Sequence, residues 1–120
     1  MTRSLKLSLA LACAALTVAV VPASAALPKL VGTVGPGFTI TLKKNGVRVT
    51  KLKAGRYTLV IRDRADVHNF ALIGSGLTRD LTSVPFVGTK TVTIRLRPGR
   101  FTYLCDPHAA DMRGTFRVVR

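Results

Sequence analysis

The run Tyr103-Leu104-Cys105-Asp106-Pro107-His108-Ala109-Ala110-Asp111-Met112 carries a thiol, an imidazole and a thioether in the spacing C-x2-H-x3-M. Soft sulfur donors combined with imidazole suit copper, and two imidazoles and a thiolate in one plane with a weak axial methionine make a blue-copper electron-transfer site. The loop supplies one of the two imidazoles. His68, 37 residues before Cys105, is the other histidine of the chain. Each residue alone has a plainer reading. A cysteine at a strand end is commonly a small buried hydrophobe, a histidine beside Phe70 a hydrogen-bonded structural residue, and a methionine ordinary core. Such coincidences do not combine easily into an ordered donor set, so His68, Cys105, His108 and Met112 are expected to hold one copper ion. Zinc on the one cysteine and both histidines is a weaker reading, because a thioether is a poor fourth ligand for zinc. A Cys105–His108 nucleophilic enzyme is weaker still: no third orienting group and no oxyanion motif can be picked out.

Such donors must be brought together by elements distant in sequence, and the pattern of the chain says which. Alternation of period two, broken by Gly and Pro, dominates, with no long stretch of helical periodicity. Phe38, Ile40 and Leu42 alternate with Thr39, Thr41 and Lys43, and Asn45-Gly46 marks a tight turn. Tyr57, Leu59 and Ile61 share one face of the next long strand, after a turn at Ala54-Gly55. His68 shares a face with Phe70 and Leu72. Val92, Ile94 and Leu96 form another inward row, Pro98-Gly99 turns the chain, and Phe101, Tyr103 and Cys105 point the same way before a last strand with Phe116 and Val118 inside. The stretch 77–88 is irregular. Seven to eight short strands at this spacing predict an all-β, Greek-key β-sandwich, with His68 at the start of one strand and Cys105 at the end of another, both at one pole.

The N-terminus reads as a separate segment. Arg3 and Lys6 precede an uncharged run from Leu7 to Val21 that ends at Ala23-Ser24-Ala25, the pattern of a secretory signal peptide and too short for a membrane span. The expected domains are therefore 1–25 as signal peptide and 26–120 as one copper-binding domain, secreted or periplasmic, with no transmembrane segment. Cys105 is then the one cysteine left in an exported chain, which makes it buried, paired between chains or ligated. The processed chain carries seventeen Lys and Arg against five Asp, a net charge of +12. These cations run along the strands without a nucleic-acid motif, so no nucleic acid is expected as partner. A field of one sign would instead speed encounter with an acidic redox partner, or attach the protein to an anionic cell envelope.

At the donor residues the sequence resembles the cupredoxins of the plastocyanin and amicyanin type, small bacterial copper-binding members in particular, over most of the processed chain. The resemblance rests on His68-Asn69, on the loop Tyr103-Leu104-Cys105-Asp106-Pro107-His108, and on Met112-Arg113-Gly114 leading into the last strand. It implies a monomeric type-1 copper protein, a one-electron carrier and not an enzyme. It also implies that Asn69 ties the upstream ligand segment to the cysteine loop, with its N–H directed at the Cys105 sulfur. The gap between His108 and Met112 departs from the family, being shorter than in plastocyanins and longer than in amicyanin. The same ligands would serve a copper-buffering or copper-delivery protein that does not shuttle electrons.

Overall fold

The computed structural model describes residues 12–21 and 25–120. The leader expected over 1–25 lies mostly outside these; its described part, 12–21, has no regular secondary structure. Among the described residues there are ten strands, β1 (Lys29–Val34), β2 (Ile40–Lys44), β3 (Val47–Arg48), β4 (Lys51–Lys53), β5 (Gly55–Asp63), β6 (Ala71–Gly74), β7 (Leu77–Asp80), β8 (Gly88–Leu96), β9 (Gly99–Leu104) and β10 (Arg113–Val119), and a 3-10 turn at Asp106–His108. They form two five-stranded sheets, β3-β2-β1-β5-β8 and β4-β10-β9-β6-β7. The expected all-β sandwich is observed, with ten strands in place of seven or eight. The surplus comes from β3, β4 and β7, which are too short to carry a periodicity of their own.

Alternation decides what each strand buries. On β5, Tyr57, Leu59 and Ile61 are buried while Arg56 and Arg62 are exposed; on β9 and its continuation, Phe101, Tyr103 and Cys105 are buried and Arg100 is not. Leu30, Val34, Leu42, Leu59 and Ile61 of the first sheet meet Leu72, Phe101, Tyr103, Phe116 and Val118 of the second in one core. Phe101 and Phe116 are directly opposed across β9 and β10 and stack with centroids 5.3 Å apart, a cross-strand pairing that adds about 0.5–1 kcal/mol beyond burial.

The turns follow their chemistry. Asn45 and Gly46 both take positive φ between β2 and β3, as a tight hairpin of that twist requires. The bend at Ala54 is pinned by the Tyr57 hydroxyl, which donates to the Lys53 carbonyl at 2.7 Å. One expectation fails here. Phe38 does not share the inner face of β2: the strand starts at Ile40, after Gly35-Pro36-Gly37, and Phe38 is 67% exposed. Of the irregular stretch 77–88, the first four residues are β7, and Leu81 and Thr82 are buried beneath the segment that carries His68.

Candidate metal centre

Register places the donors at one pole. β5 and β1 run in parallel toward it, ending at Asp63 opposite Val34, while β9 arrives in the other sheet with Leu104 paired to Ala71 of β6 and to Arg113 of β10. The β5–β6 connection therefore crosses between the sheets directly over the place where β9 ends. His68 lies on the first of these segments and Cys105 on the second.

Both segments are held before any ligand is considered. The first begins with the Ala65 N–H donating to Asp63 Oδ1 at 3.3 Å, and the Phe70 N–H donates to Thr82 Oγ1 at 2.9 Å. The loop from Cys105 to Met112 closes on itself. The Cys105 N–H donates to the Met112 carbonyl at 3.0 Å, the His108 N–H to the Cys105 carbonyl at 3.1 Å, and the Met112 N–H to the His108 carbonyl at 2.8 Å. Pro107 sits in the first turn of the 3-10 segment, where a fixed φ and a missing N–H cost nothing. Asn69, 3% exposed, then clasps the loop from the side. Its Nδ2 donates to Asp106 Oδ2 at 2.6 Å, and its Oδ1 accepts from the Asp106 N–H at 2.7 Å. Asn69 thus ties the two segments together, through its side-chain amide rather than through its own N–H.

The result is a convergence of three donors. His68 Nδ1 and His108 Nδ1 are 3.0 Å apart, and Cys105 Sγ is 3.6 Å from each. Two ring nitrogens and a sulfur this close together repel unless protons or a cation lie between them. The point equidistant from them is about 2 Å from each, the length of a metal–imidazole bond and slightly less than a metal–thiolate bond. A first-row metal therefore fits the donor set in both chemistry and size. His68, Cys105 and Met112 are buried, whereas His108 is half-buried. Met112 belongs to the same closed loop, and its side chain is part of the core beneath it.

On the core side, Cys105 and Met112 belong to the same apolar cluster as Phe70 and Tyr103. Phe70 stacks on Tyr103 with centroids 5.8 Å apart, and Gly114 is needed for this: a Cβ there would run into the Tyr103 ring. The solvent side holds a residue that sequence reasoning assigned to the core. Phe38, on the β1–β2 loop, meets His108 edge-on at 4.9 Å and His68 at 5.5 Å. Ala109 and Ala110 leave His108 partly open, but Phe38 leans on both rings. The signal was present in Gly35-Pro36-Gly37, which interrupts the strand pattern just before Phe38.

No protein-family model matches the chain, and no curated protein matches it. Solved structures do. Reduced rusticyanin superposes with a TM-score of 0.57 at 21% identity, over 76% of this chain and 78% of that one. A second rusticyanin structure, described as a copper protein, gives 0.56 at 18% identity, with 76% of each chain covered. A chain of a heme-copper terminal oxidase dimer gives 0.53 at 15% identity, covering 76% of this chain and 63% of that one. The fold is that of the cupredoxins, a β-sandwich of two sheets.

Proposed function

We propose that the protein is a type-1 copper protein that carries single electrons outside the cytoplasm, with one copper ion held by His68, Cys105, His108 and Met112. The observation that carries this reading is the triangle of two Nδ1 atoms and one Sγ, closed to 3.0 and 3.6 Å at the pole of a cupredoxin sandwich. Copper bound there would supply a reversible one-electron couple whose potential depends on the axial donor and on the surroundings of the sulfur. The chain's own residues do the rest. The Asn69 clasp and the closed Cys105–Met112 loop hold the donors in place, so that little rearrangement accompanies a change of charge. Cys105 is fully buried and Phe38 leans on both imidazole rings, which keeps water from the donors. The thioether of Met112, on the same closed loop, suits copper as a weak fourth donor and is a poor ligand for a tetrahedral zinc site.

His108 is the half-buried member of the set, so a redox partner docking at this pole meets its ring. The metal half of the sandwich contains all five Asp and five of the Lys and Arg, which balances its charge. Contact there is governed by the apolar rim of Phe38, Val67 and Ala110 more than by net charge, and an acidic partner gains little at this end. The domain begins after a cleaved leader of 25 residues and works as a monomer.

The test is a visible absorption spectrum of the processed protein after addition of Cu(II). An intense thiolate-to-copper band that bleaches on reduction and vanishes in Cys105→Ala is expected. A colourless Cu(II) complex, or colour that survives Cys105→Ala, overturns the assignment. Ready surrender of Cu(I) to a chelating acceptor without reversible cycling would instead favour copper delivery.

A further inference from the structure

The net charge of the protein is not spread over it. Consider the register row through Val60 and Thr91, across the middle of β5 and β8. On its metal side lie Asp63, Asp66, Asp80, Asp106 and Asp111, matched by Arg62, Arg64, Arg79, Lys90 and Arg113. The remaining twelve Lys and Arg of residues 26–120 lie along the row or beyond it, with no Asp or Glu side chain among them. The whole excess of +12 therefore sits on the half remote from the donor triangle.

Strand pairing makes this arrangement costly. Arg117 of β10 stands opposite Arg100 of β9 on one side and Lys51 of β4 on the other, a row of three exposed cations across three strands. In the other sheet Arg56 is paired with Arg95, and Lys43 with Arg48. Like charges directly opposed across strands destabilise a sheet, and nothing in the core requires them at these outward positions.

The geometry points to a polyanion-binding half, and its occupant to a flexible, phosphate-bearing envelope polymer wound around the end of the sandwich. Two observations favour a polymer over a bilayer. The cationic rows lie on the outer faces of both sheets, back to back, with the sheets themselves about 10 Å apart. A flat surface reaches one face at a time, whereas a flexible chain reaches both. Each face also has an open cleft edged by cations and threonine hydroxyls. One, of about 320 Å³, lies between Arg100 and Arg117 with Thr50 and Thr115; the other, of about 380 Å³, starts at Lys43 on the dividing row and reaches Thr33, Thr41 and Arg62 on its metal side, so it marks the border of the cationic half. Guanidinium forks and hydroxyl donors match phosphate oxygens. A polymer bound there leaves the donor pole pointing outward. This inference rests on the extracytoplasmic reading but not on the metal assignment, so either can fail alone.

Titration of the processed protein with poly(glycerol phosphate) by calorimetry, at several salt concentrations, decides the matter. Binding is expected that weakens steeply with salt. The triple variant Lys51→Ser, Arg100→Ser, Arg117→Ser should lose about tenfold or more in affinity, as each lost phosphate contact weakens binding, while the metal-side variant Arg64→Ser, Arg79→Ser stays near the parent. Circular dichroism checks that both remain folded, and the pair Arg56→Ser, Arg95→Ser provides a second, independent far-side variant. Equal losses from metal-side and far-side variants overturn the proposal, because net charge alone would then explain the binding. So does absence of binding at low salt, tighter binding to a carboxylate polymer such as alginate, or tighter binding to phosphatidylglycerol vesicles.

Discussion

Asn69→Ala removes the clasp between the two ligand segments and touches no donor atom. The structure sets the size of the effect. Two hydrogen bonds of 2.6 and 2.7 Å disappear, one of them to a carboxylate. A neutral bond contributes about 1 kcal/mol and one to a charged group about 1.5–3 kcal/mol. Asp106 is exposed, so solvent screening brings the second down to about 1 kcal/mol as well and the sum to about 2 kcal/mol. The copper-loaded protein should lose all of it, divided between two measurable parts. If the Cys105–Met112 loop stays closed without the clasp, the loss appears as lower stability of the metal-free protein. If the loop opens, part of the loss appears as weaker copper binding, since the metal must close it again; about 2 kcal/mol placed wholly there would be roughly a thirtyfold change in Kd. Urea unfolding of the metal-free protein and a Cu(I) competition titration measure the two parts, and their sum is the test. Asn69→Asp should lose more than Asn69→Ala, because two carboxylates would then face each other at hydrogen-bond distance. A summed loss below about 0.5 kcal/mol, less than one ordinary hydrogen bond, would refute the clasp as the device that joins the segments.

Met112→Leu should keep the fold, since a volume-conserving apolar swap in a core costs less than about 1.5 kcal/mol, and should keep copper bound while raising the reduction potential, because a lost thioether donor destabilises Cu(II) more than Cu(I). Voltammetry checks this, and an unchanged potential with an unchanged spectrum means that Met112 is not the axial donor. Phe38→Ala should uncover the His68 and His108 rings, lowering the potential as water approaches the site and speeding exchange with small redox reagents. At 67% exposure Phe38 contributes little to the core, so thermal stability should hardly move. A stopped-flow rate and a potential equal to those of the parent would show that Phe38 does not shield the rings.

Much of this molecule is written locally. Period-two alternation selects the inward rows Tyr57-Leu59-Ile61 and Phe101-Tyr103-Cys105, and turn residues such as Asn45-Gly46 separate them, because face and turn depend on neighbours only a few residues away. The donor set was legible for the same reason: three of its four members lie within one loop, and His68 was the remaining histidine. The short strands β3 and β4 were not legible, since two or three residues carry no period and pair only because a long neighbour offers an edge. Phe38 was misplaced because hydrophobicity says that a side chain seeks cover, not which cover, and here two imidazole rings from distant segments supply it. Distance is likewise a tertiary matter. That His68 Nδ1 lies 3.0 Å from His108 Nδ1 follows from the crossing of the β5–β6 connection over the end of β9, and from the Asn69 clasp between them. The charges show the division most plainly. Along the chain the cations look evenly spread, and only the register, which long-range burial of the two sheet faces sets, gathers twelve of the seventeen cations of residues 26–120 at one end and all five Asp side chains, with the other five cations, at the other.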